Sequence, residues 1–594
     1  MNSTEKKLTA SWLLLLILIV ASSVNVNAQS PRDETQTPAT AGTITGRVVT
    51  ESGQPLPYAT VYLRGSMPLF QPRITATDSE GNFQAAGLEP LLYGVSAMVP
   101  AYVSPPRDPD TPPTYYRIGD SVTLTLVKGG VISGTVVSTS GEPVVQVSVQ
   151  AVLVRDANGQ RPKYGFYQSQ KLTDDRGIYR IYGLLPGTYV VSAGGRGSLS
   201  FAANPYANDS PTYAPSSTRD TAAEITVRAG EEANGVNIRY RGEPGHVISG
   251  VANGPTDPNS YSQFSLNLTQ ISNGVPMSSI YGFQAPNGKG FSFYGLADGD
   301  YDLVAQSSVG LGEMTASEPR RISVKGADVT GIELTIKPLG AIGGHLALAA
   351  SDAVECKNKR QPLLSETLIA ARRSEKGLPK DGPRFPTLFG AQGTPNKSGD
   401  FLIRNLAPGQ YDLNVQFFAK YWYLKSITRE GSVTPSVAGR VAPAARQTDA
   451  ARNGMPLKFG ERITGLTVTL AGGAASFRGT VGIAPGENVP PSLYVHLVPA
   501  EKENVEDVLR LFAGEVNSDG TFALNNLPPG RYWAVARVAA DNETQSVAKL
   551  RSPDEVETRA QIRRAAEAAK TEIEFKPCQN VSDYRLPFKP APAK

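Results

Sequence analysis

The chain has 594 residues with 58 basic against 54 acidic side chains, so its charge is nearly balanced. No clustered basic face of the kind a nucleic-acid binder carries is visible, and nucleic acid is not expected as a partner. At about 150 residues per domain the length suggests about four domains, enough to bury several separate cores. Its 58 Gly and 46 Pro residues fall mostly between β-branched runs, which is the habit of all-β proteins. Two cysteines, Cys356 and Cys578, are too few to be the framework of so long a chain. One bridge between them and two separate thiols are both compatible with the sequence.

At the N-terminus, Lys6 and Lys7 precede an apolar run from Trp12 to Ala21, and a polar stretch then ends at Val26-Asn27-Ala28. This pattern predicts a signal peptide over residues 1–28, cleaved after Ala28. The apolar run is well short of the roughly 20 residues a membrane span needs. No later segment is long and apolar enough to cross as a helix, so the mature chain is expected to lack a transmembrane segment. An exported location follows: periplasm, cell surface or external medium. Residues 29–42, polar and rich in Thr and Pro, read as a disordered linker.

An internal repeat then organises the chain. An aromatic is followed by Leu five residues on and Tyr five further: Phe83-Leu88-Tyr93, Tyr179-Leu184-Tyr189, Phe291-Leu296-Tyr301, Phe401-Leu406-Tyr411 and Phe522-Leu527-Tyr532. Asp175-Arg176-Gly177, Asn396 to Gly399 and Asn517 to Gly520 precede the aromatic. Asn or Asp can fold back on its own backbone there while Gly supplies positive φ, a tight turn entering a strand. Pro186-Gly187, Pro408-Gly409 and Pro529-Gly530 end that strand, and alternation after the Tyr starts another. The recurring Tyr is expected to pack like a tyrosine corner.

Opening phrases such as Ile44-Thr45-Gly46-Arg47-Val48 and Ile132-Ser133-Gly134-Thr135-Val136 begin each module. Closing strands are expected at 122–126, 236–240, 332–336, 466–470 and 573–575. The fold class is therefore all-β: β-sandwich modules in tandem over 43–127, 128–242, 243–338, 339–471 and 472–580, with a tail at 581–594. Short connections suggest touching neighbours and a semi-rigid rod of roughly 150 Å, at 3.3 Å per strand residue. Two segments depart from the repeat. Residues 431–454 read as a long loop in module four. Ser552-Pro553-Asp554-Glu555 predicts a capped helix in module five running to about Lys570 and lying on the last sandwich. Glu555–Arg559 and Arg563–Glu567 are at supportive spacing along it.

The phrase ISGTV, the Asp-x-x-Gly-x-Tyr turn and the ending LLPGTYVVSA of module two resemble the carboxypeptidase regulatory-like domain, and module one is similar. That transthyretin-like (prealbumin-like) sandwich belongs with carbohydrate-binding-like folds. The resemblance implies a seven- or eight-stranded, non-catalytic module used as a spacer, docking surface or ligand platform. Modules three to five fit the pattern less closely, with Lys289 at the turn glycine and Asp298 at the proline.

No catalytic residue, cofactor or metal site is expected. The three histidines, His246, His345 and His496, lack the His-x-x-Glu pairing of a zinc peptidase and read as ordinary strand residues. Asp298, Asp300 and Asp302 crowd one turn and read as solvated turn carboxylates rather than a Ca²⁺ site. Two aromatic clusters are candidates for glycan or partner binding: Tyr164, Phe166 and Tyr167 in a loop of module two, and Tyr421, Trp422 and Tyr423 in module four. The resulting expectation is an exported scaffold or interaction protein whose partner is a protein or a polysaccharide of the cell envelope. A carbohydrate-binding protein using exposed aromatics is the alternative.

Overall fold

The computed structural model describes residues 42–588 apart from 67–70, 106–112, 163–167, 196–204, 255–263, 273–274, 284–289, 310–312, 377–381, 384, 386–390, 431–446, 484–486, 541–542 and 544–545. The expected signal peptide and nearly all of the linker lie outside the described residues. Gly42 already belongs to the first strand.

One pairing scheme occurs five times. An opening strand (Gly42–Thr50, Gly130–Val137, His246–Asn253, Gly340–Ala349, Ala475–Gly482) runs antiparallel to the strand that carries the repeat's aromatic (Asn82–Leu88, Ile178–Leu184, Gly290–Leu296, Asp400–Leu406, Thr521–Leu527). On its other side it pairs in parallel with a closing strand (Ser121–Lys128, Ile238–Arg239, Val329–Pro338, Arg462–Gly472, Asn580–Pro587). In the second sheet, Thr60–Gly65, Ser148–Asp156, Ser265–Ser272, Thr367–Arg373 and Leu493–Pro499 pair antiparallel with the strands that carry or follow the repeat Tyr: Tyr93–Met98, Gly187–Ala193, Gly299–Val309, Gly409–Phe417 and Gly530–Val538. In module three the two sheets join, because Glu313–Ser317 pairs with both Gly299–Val309 and Val329–Pro338.

Period-two alternation builds each core. In Asn82–Leu88 the side chains of Phe83, Ala85 and Leu88 are buried while Gln84 and Ala86 are exposed. All five repeat tyrosines are nearly fully buried. Each hydroxyl donates to the carbonyl four residues back: Tyr93 to Glu89 (3.2 Å), Tyr189 to Leu185 (2.8 Å), Tyr301 to Ala297 (2.8 Å), Tyr411 to Ala407 (2.7 Å) and Tyr532 to Pro528 (2.9 Å). The phenol thereby satisfies its one polar group inside an apolar core while tying the turn to the strand. Burial raises the Tyr411 hydroxyl to about 12.

In module four Asn396 makes the turn before the aromatic an Asx turn, and in module two Asp174 makes one, a residue earlier than the spacing predicts. Its carboxylate accepts from the Arg176 and Ile178 amides, as Asn396 does from Ser398 and Asp400.

Three further expectations are corrected. Residues 573–575 do not close module five: Glu572–Phe575 pairs with Gly530–Val538 in the second sheet. The parallel partner of the opener is Asn580–Pro587, which takes up residues 581–587 of the expected tail. Residues 447–454 of the expected long loop hold a two-residue strand, Thr448–Asp449, and one helical turn, Ala450–Asn453, whose alanines enter the module-four core. In the helical region, Ser552 caps a 3₁₀ turn, Pro553–Glu555, through the Asp554 amide, and the α-helix follows as Val556–Ala569. Glu555 accepts from the Thr558 hydroxyl instead of closing a capping box, and Arg559 donates to the Leu550 and Ser552 carbonyls. Arg563–Glu567 pairs at 2.9 Å, and Ile562 and Ala566 pack the helix onto Val498 and Leu511 of the last sandwich.

The array does not extend as a rod. Module one touches module four as well as module two. The Gln392 side-chain amide donates to the Tyr115 hydroxyl (2.7 Å), and Arg117 lies 5.0 Å over the Phe418 ring while facing buried Glu366 at 3.8 Å. Short connections forced contact between neighbours but left the direction of each turn open, so the chain curls back.

Candidate functional site

The proposed aromatic platform of module four is not a surface. Tyr421 and Trp422 are 6% and 4% exposed. The Trp422 indole donates to the Arg360 carbonyl (3.1 Å), and the Tyr421 hydroxyl accepts from the Asn580 side-chain amide (3.2 Å). Tyr423 is half-buried, and desolvation raises its hydroxyl pKa. Tyr421 and Trp422 offer no open ring face to a sugar, with Lys359 and Lys420 lying over the Tyr421 ring, while Tyr423 keeps part of its surface exposed. Tyr164, Phe166 and Tyr167 lie outside the described residues.

The acidic turn of module three is likewise spoken for. Asp302 is buried and ion-pairs with Arg321, Asp300 accepts from the Ser323 hydroxyl (2.5 Å), and Asp298 accepts from the Gly326 amide (2.7 Å). Solvated carboxylates were expected at all three positions, but Asp302 sits within a strand where its partner is a guanidinium. His246 faces Asp298 at 3.3 Å, and His345 faces Asp400 at 3.0 Å. His496 is buried on the helix side of the module-five sheet, neither ring nitrogen has a hydrogen-bond partner among the described residues, and burial lowers its pKa to about 4. Among the described residues no group of three His, Cys, Asp or Glu side chains is arranged to hold a metal ion. No described helix is long and apolar enough to cross a membrane.

What the structure brings together instead are the module junctions, and one position of the repeat makes them. The residue before the repeat Leu is left-handed in every module: Gly87, Gly183, Gly295, Asn405 and Asn526, with φ between +59° and +72°. It sits where the aromatic strand bulges against the opener. From module two onward it touches the preceding module. Gly183 faces Val103 of module one, whose Cγ1 would lie 3.9 Å from an added Cβ. A Cβ on Gly295 would lie 2.4 Å from the Ala207 carbonyl oxygen. Asn405 accepts from the Met314 amide (2.9 Å), and Asn526 donates to the carbonyls of Ala419 (2.9 Å) and Trp422 (2.7 Å). Gly87, in the first described module, has nothing described within 4 Å of an added Cβ. Gly and Asn tolerate this backbone region, and here they do two jobs: Gly lets backbones approach, and Asn reaches across with a side chain. Gly or Asn stands before the repeat Leu in all five modules, a regularity visible in the sequence itself.

The junction of modules four and five is the most buried. Val508, Leu509 and Cys578 of module five enter the core of module four, and Cys356 is disulfide-bonded to Cys578 with their Cα atoms 5.6 Å apart. Ser374 donates to Asp554 (2.5 Å) and Arg452 pairs with Glu506 (2.8 Å) around it.

The junction of modules two and three is open. The outer face of the strands Ser148–Asp156 and Gly187–Ala193 looks across at Gln270, Ser279, Ile280 and the turn at Leu296–Ala297, leaving a narrow cleft of about 40 Å³. The 3₁₀ turn Arg219–Thr221 and the strand Thr212–Tyr213 form one wall. The Arg219 Nε is buried without a hydrogen-bond partner, and no described carboxylate lies within salt-bridge distance of its guanidinium.

These features define a tandem array of β-sandwiches with docked junctions. Residues 43–111, in module one, match the carboxypeptidase regulatory-like domain family. The match spans that module alone, and the later modules share its pairing scheme. No protein of curated function matches the chain in sequence. Among solved structures, the Bacillus anthracis TIE protein overlaps 73% of this chain and 76% of its own length at 12% identity and a TM-score of 0.14. A streptococcal ancillary pilin overlaps 58% of this chain and 99% of its own at 10% identity and 0.20. The major pilin subunit BcpA of Bacillus cereus overlaps 50% and 99% at 10% identity and 0.13. At these scores the overlaps carry no argument about arrangement or role.

Proposed function

We propose that the chain is an exported, non-catalytic scaffold or interaction protein of the cell envelope, presenting five sandwich modules in a fixed arrangement to an envelope protein or polysaccharide. The observation that carries this reading is the reuse of one left-handed position at four successive junctions. A chain whose repeats merely tethered separate activities would have no need to dock each module on the last. The disulfide joining modules four and five fits an oxidising compartment outside the cytoplasm. Tyr421 and Trp422 are consumed by the module-four core, which leaves the sugar-stacking alternative no open ring at those two positions.

The test is export and processing in cells that make the full chain. The reading expects a product beginning at Gln29, outside the cytoplasm, with Cys356 and Cys578 oxidised. A cytoplasmic product that retains residues 1–28 and both free thiols would contradict it.

A further inference from the structure

We propose that the helical segment Val547–Ala569 is an acid-released flap, which lifts off the module-five sheet when His496 beneath it takes up a proton. Topology leaves the segment free to move. The strands before and after it, Gly530–Val538 and Glu572–Phe575, pair directly with each other, so the helices can leave and return without unpairing a strand. Its apolar hold is small: Leu550, Ile562 and Ala566 pack on Val498 and Leu511. Arg551 and Arg563 add hydrogen bonds to the Leu511 and Pro499 carbonyls, which water can replace. His496 belongs to this contact. It is 3% exposed, and Ala513 and Val535, its partners on the two neighbouring strands, both pack against the same cluster. Neither of its ring nitrogens has a hydrogen-bond partner among the described residues. A buried imidazole without either bond recovers both when its cover lifts and water enters, so the docked flap carries a standing cost.

The surrounding charges do not offset a proton on that ring. Burial and then Arg537 hold it neutral, and Glu543, already bound to both terminal nitrogens of Arg537, opposes them only in part. On the flap, Arg551, Arg559 and Arg563 are engaged with the Leu511, Leu550 and Pro499 carbonyls, and Glu567 with Arg563. On the sheet, Tyr494 lies 6.3 Å away ring to ring, and exposed Glu515 stands opposite that tyrosine. The docked imidazole titrates at about 4 in place of the ordinary 6.5, which it regains once lifted into water. Between those two values the lifted form holds a proton that the docked form lacks. Docking is therefore intact above pH 6.5, weakens as the pH falls towards 4, and loses nothing more below that. The ratio of lifted to docked flap rises about twentyfold from pH 7 to pH 5. In modules two and four the corresponding outer sheet face lies against the next module, with Val190 and Ser192 towards Ser279 and Ile280, and Asp412 and Asn414 beside Leu509 and Ala548. In module five the flap takes that place, and acid opens it. The inference stands whether or not the scaffold reading does.

The experiment is amide hydrogen exchange of the mature full-length protein at pH 7 and pH 5, read by mass spectrometry of its peptides and corrected for intrinsic exchange rates. A 14-residue helix detached from its sheet is marginal in water, so its amides exchange when the flap lifts. Protection across Val556–Ala569 is expected to fall about twentyfold at pH 5, while the strand Gly187–Ala193 of module two keeps its own. The Cys356–Cys578 disulfide lies outside the segment and holds modules four and five together at both pH values. His496→Leu removes the titrating group and should make flap protection equal at pH 7 and pH 5. His496→Phe makes the same test with a ring of similar shape should the leucine variant not fold. The parent result needs no variant: undiminished flap protection at pH 5 would overturn the proposal. So would a loss spread evenly over all modules, or the same loss in a variant without the imidazole.

Discussion

The junction between modules four and five and the junction between modules two and three use the same position of the repeat to opposite ends. At four–five, Asn526 reaches over to two carbonyls and the neighbouring apolar side chains fuse into one core, sealed by a disulfide. At two–three, Gly295 lets the backbone of residues 207–209 approach closely, but the sheets beside it are lined by serine and glutamine and stay apart. A single docking geometry thus gives a rigid joint where the flanking residues are apolar and a cleft where they are polar. Burial drives the first, at about 25 cal/mol per Å² of apolar surface, and at the second is confined to a small cluster of Val152, Val190 and Tyr213.

The largest effect expected from breaking this contrast is at the disulfide. Its partners are 222 residues apart, and constraint of so long a loop in the unfolded chain corresponds to about 5 kcal/mol on the entropic account. Cys578→Ser should lower the unfolding free energy of modules four and five, read from denaturant titration, by that order, with modules two and three unfolding as before. Coincident loss of every module would show that the junctions are more coupled than described.

A pair of glycines isolates docking from backbone strain. Gly87 and Gly295 share φ +71°, but only Gly295 faces a neighbouring module. Gly87→Ala should cost about 1 kcal/mol, the left-handed penalty alone. Gly295→Ala should cost at least about 1 kcal/mol more, because its Cβ would lie 2.4 Å from a backbone oxygen. Equal costs in thermal unfolding would remove Gly295 from the junction.

Asn526→Gly should have a smaller effect. Glycine keeps the left-handed backbone, so the loss of about 1–2 kcal/mol would come from the two hydrogen bonds to module four. A neutral result would mean the fused core alone holds that joint.

Much of this was legible from spacing. The aromatic, Leu and Tyr of each repeat fall on core positions because side chains on a strand alternate, and a buried Tyr needs a carbonyl within reach of its hydroxyl. Trp422 and Tyr421 misled because a run of rings looks the same in sequence whether it meets water or a neighbouring module. The closing strand of module five was misplaced because the helix pushes the true one, Asn580–Pro587, past the point where the other modules end. Arg219 carried no signal at all, since an unpaired guanidinium is a property of what folds around it. The curl of the array was equally hidden: the contacts of Arg117 and Gln392 link residues about 250–300 positions apart that no local pattern connects.

That curl is the central claim, and small-angle X-ray scattering of the mature protein tests it most directly. With module one seated on module four, the maximum dimension should fall well below the roughly 150 Å of five modules end to end. Arg117→Ala, which removes the contacts to Glu366 and Phe418, should lengthen the particle towards that value while leaving the melting profile of the modules largely unchanged. A parent protein already near 150 Å, insensitive to Arg117→Ala, would contradict the account.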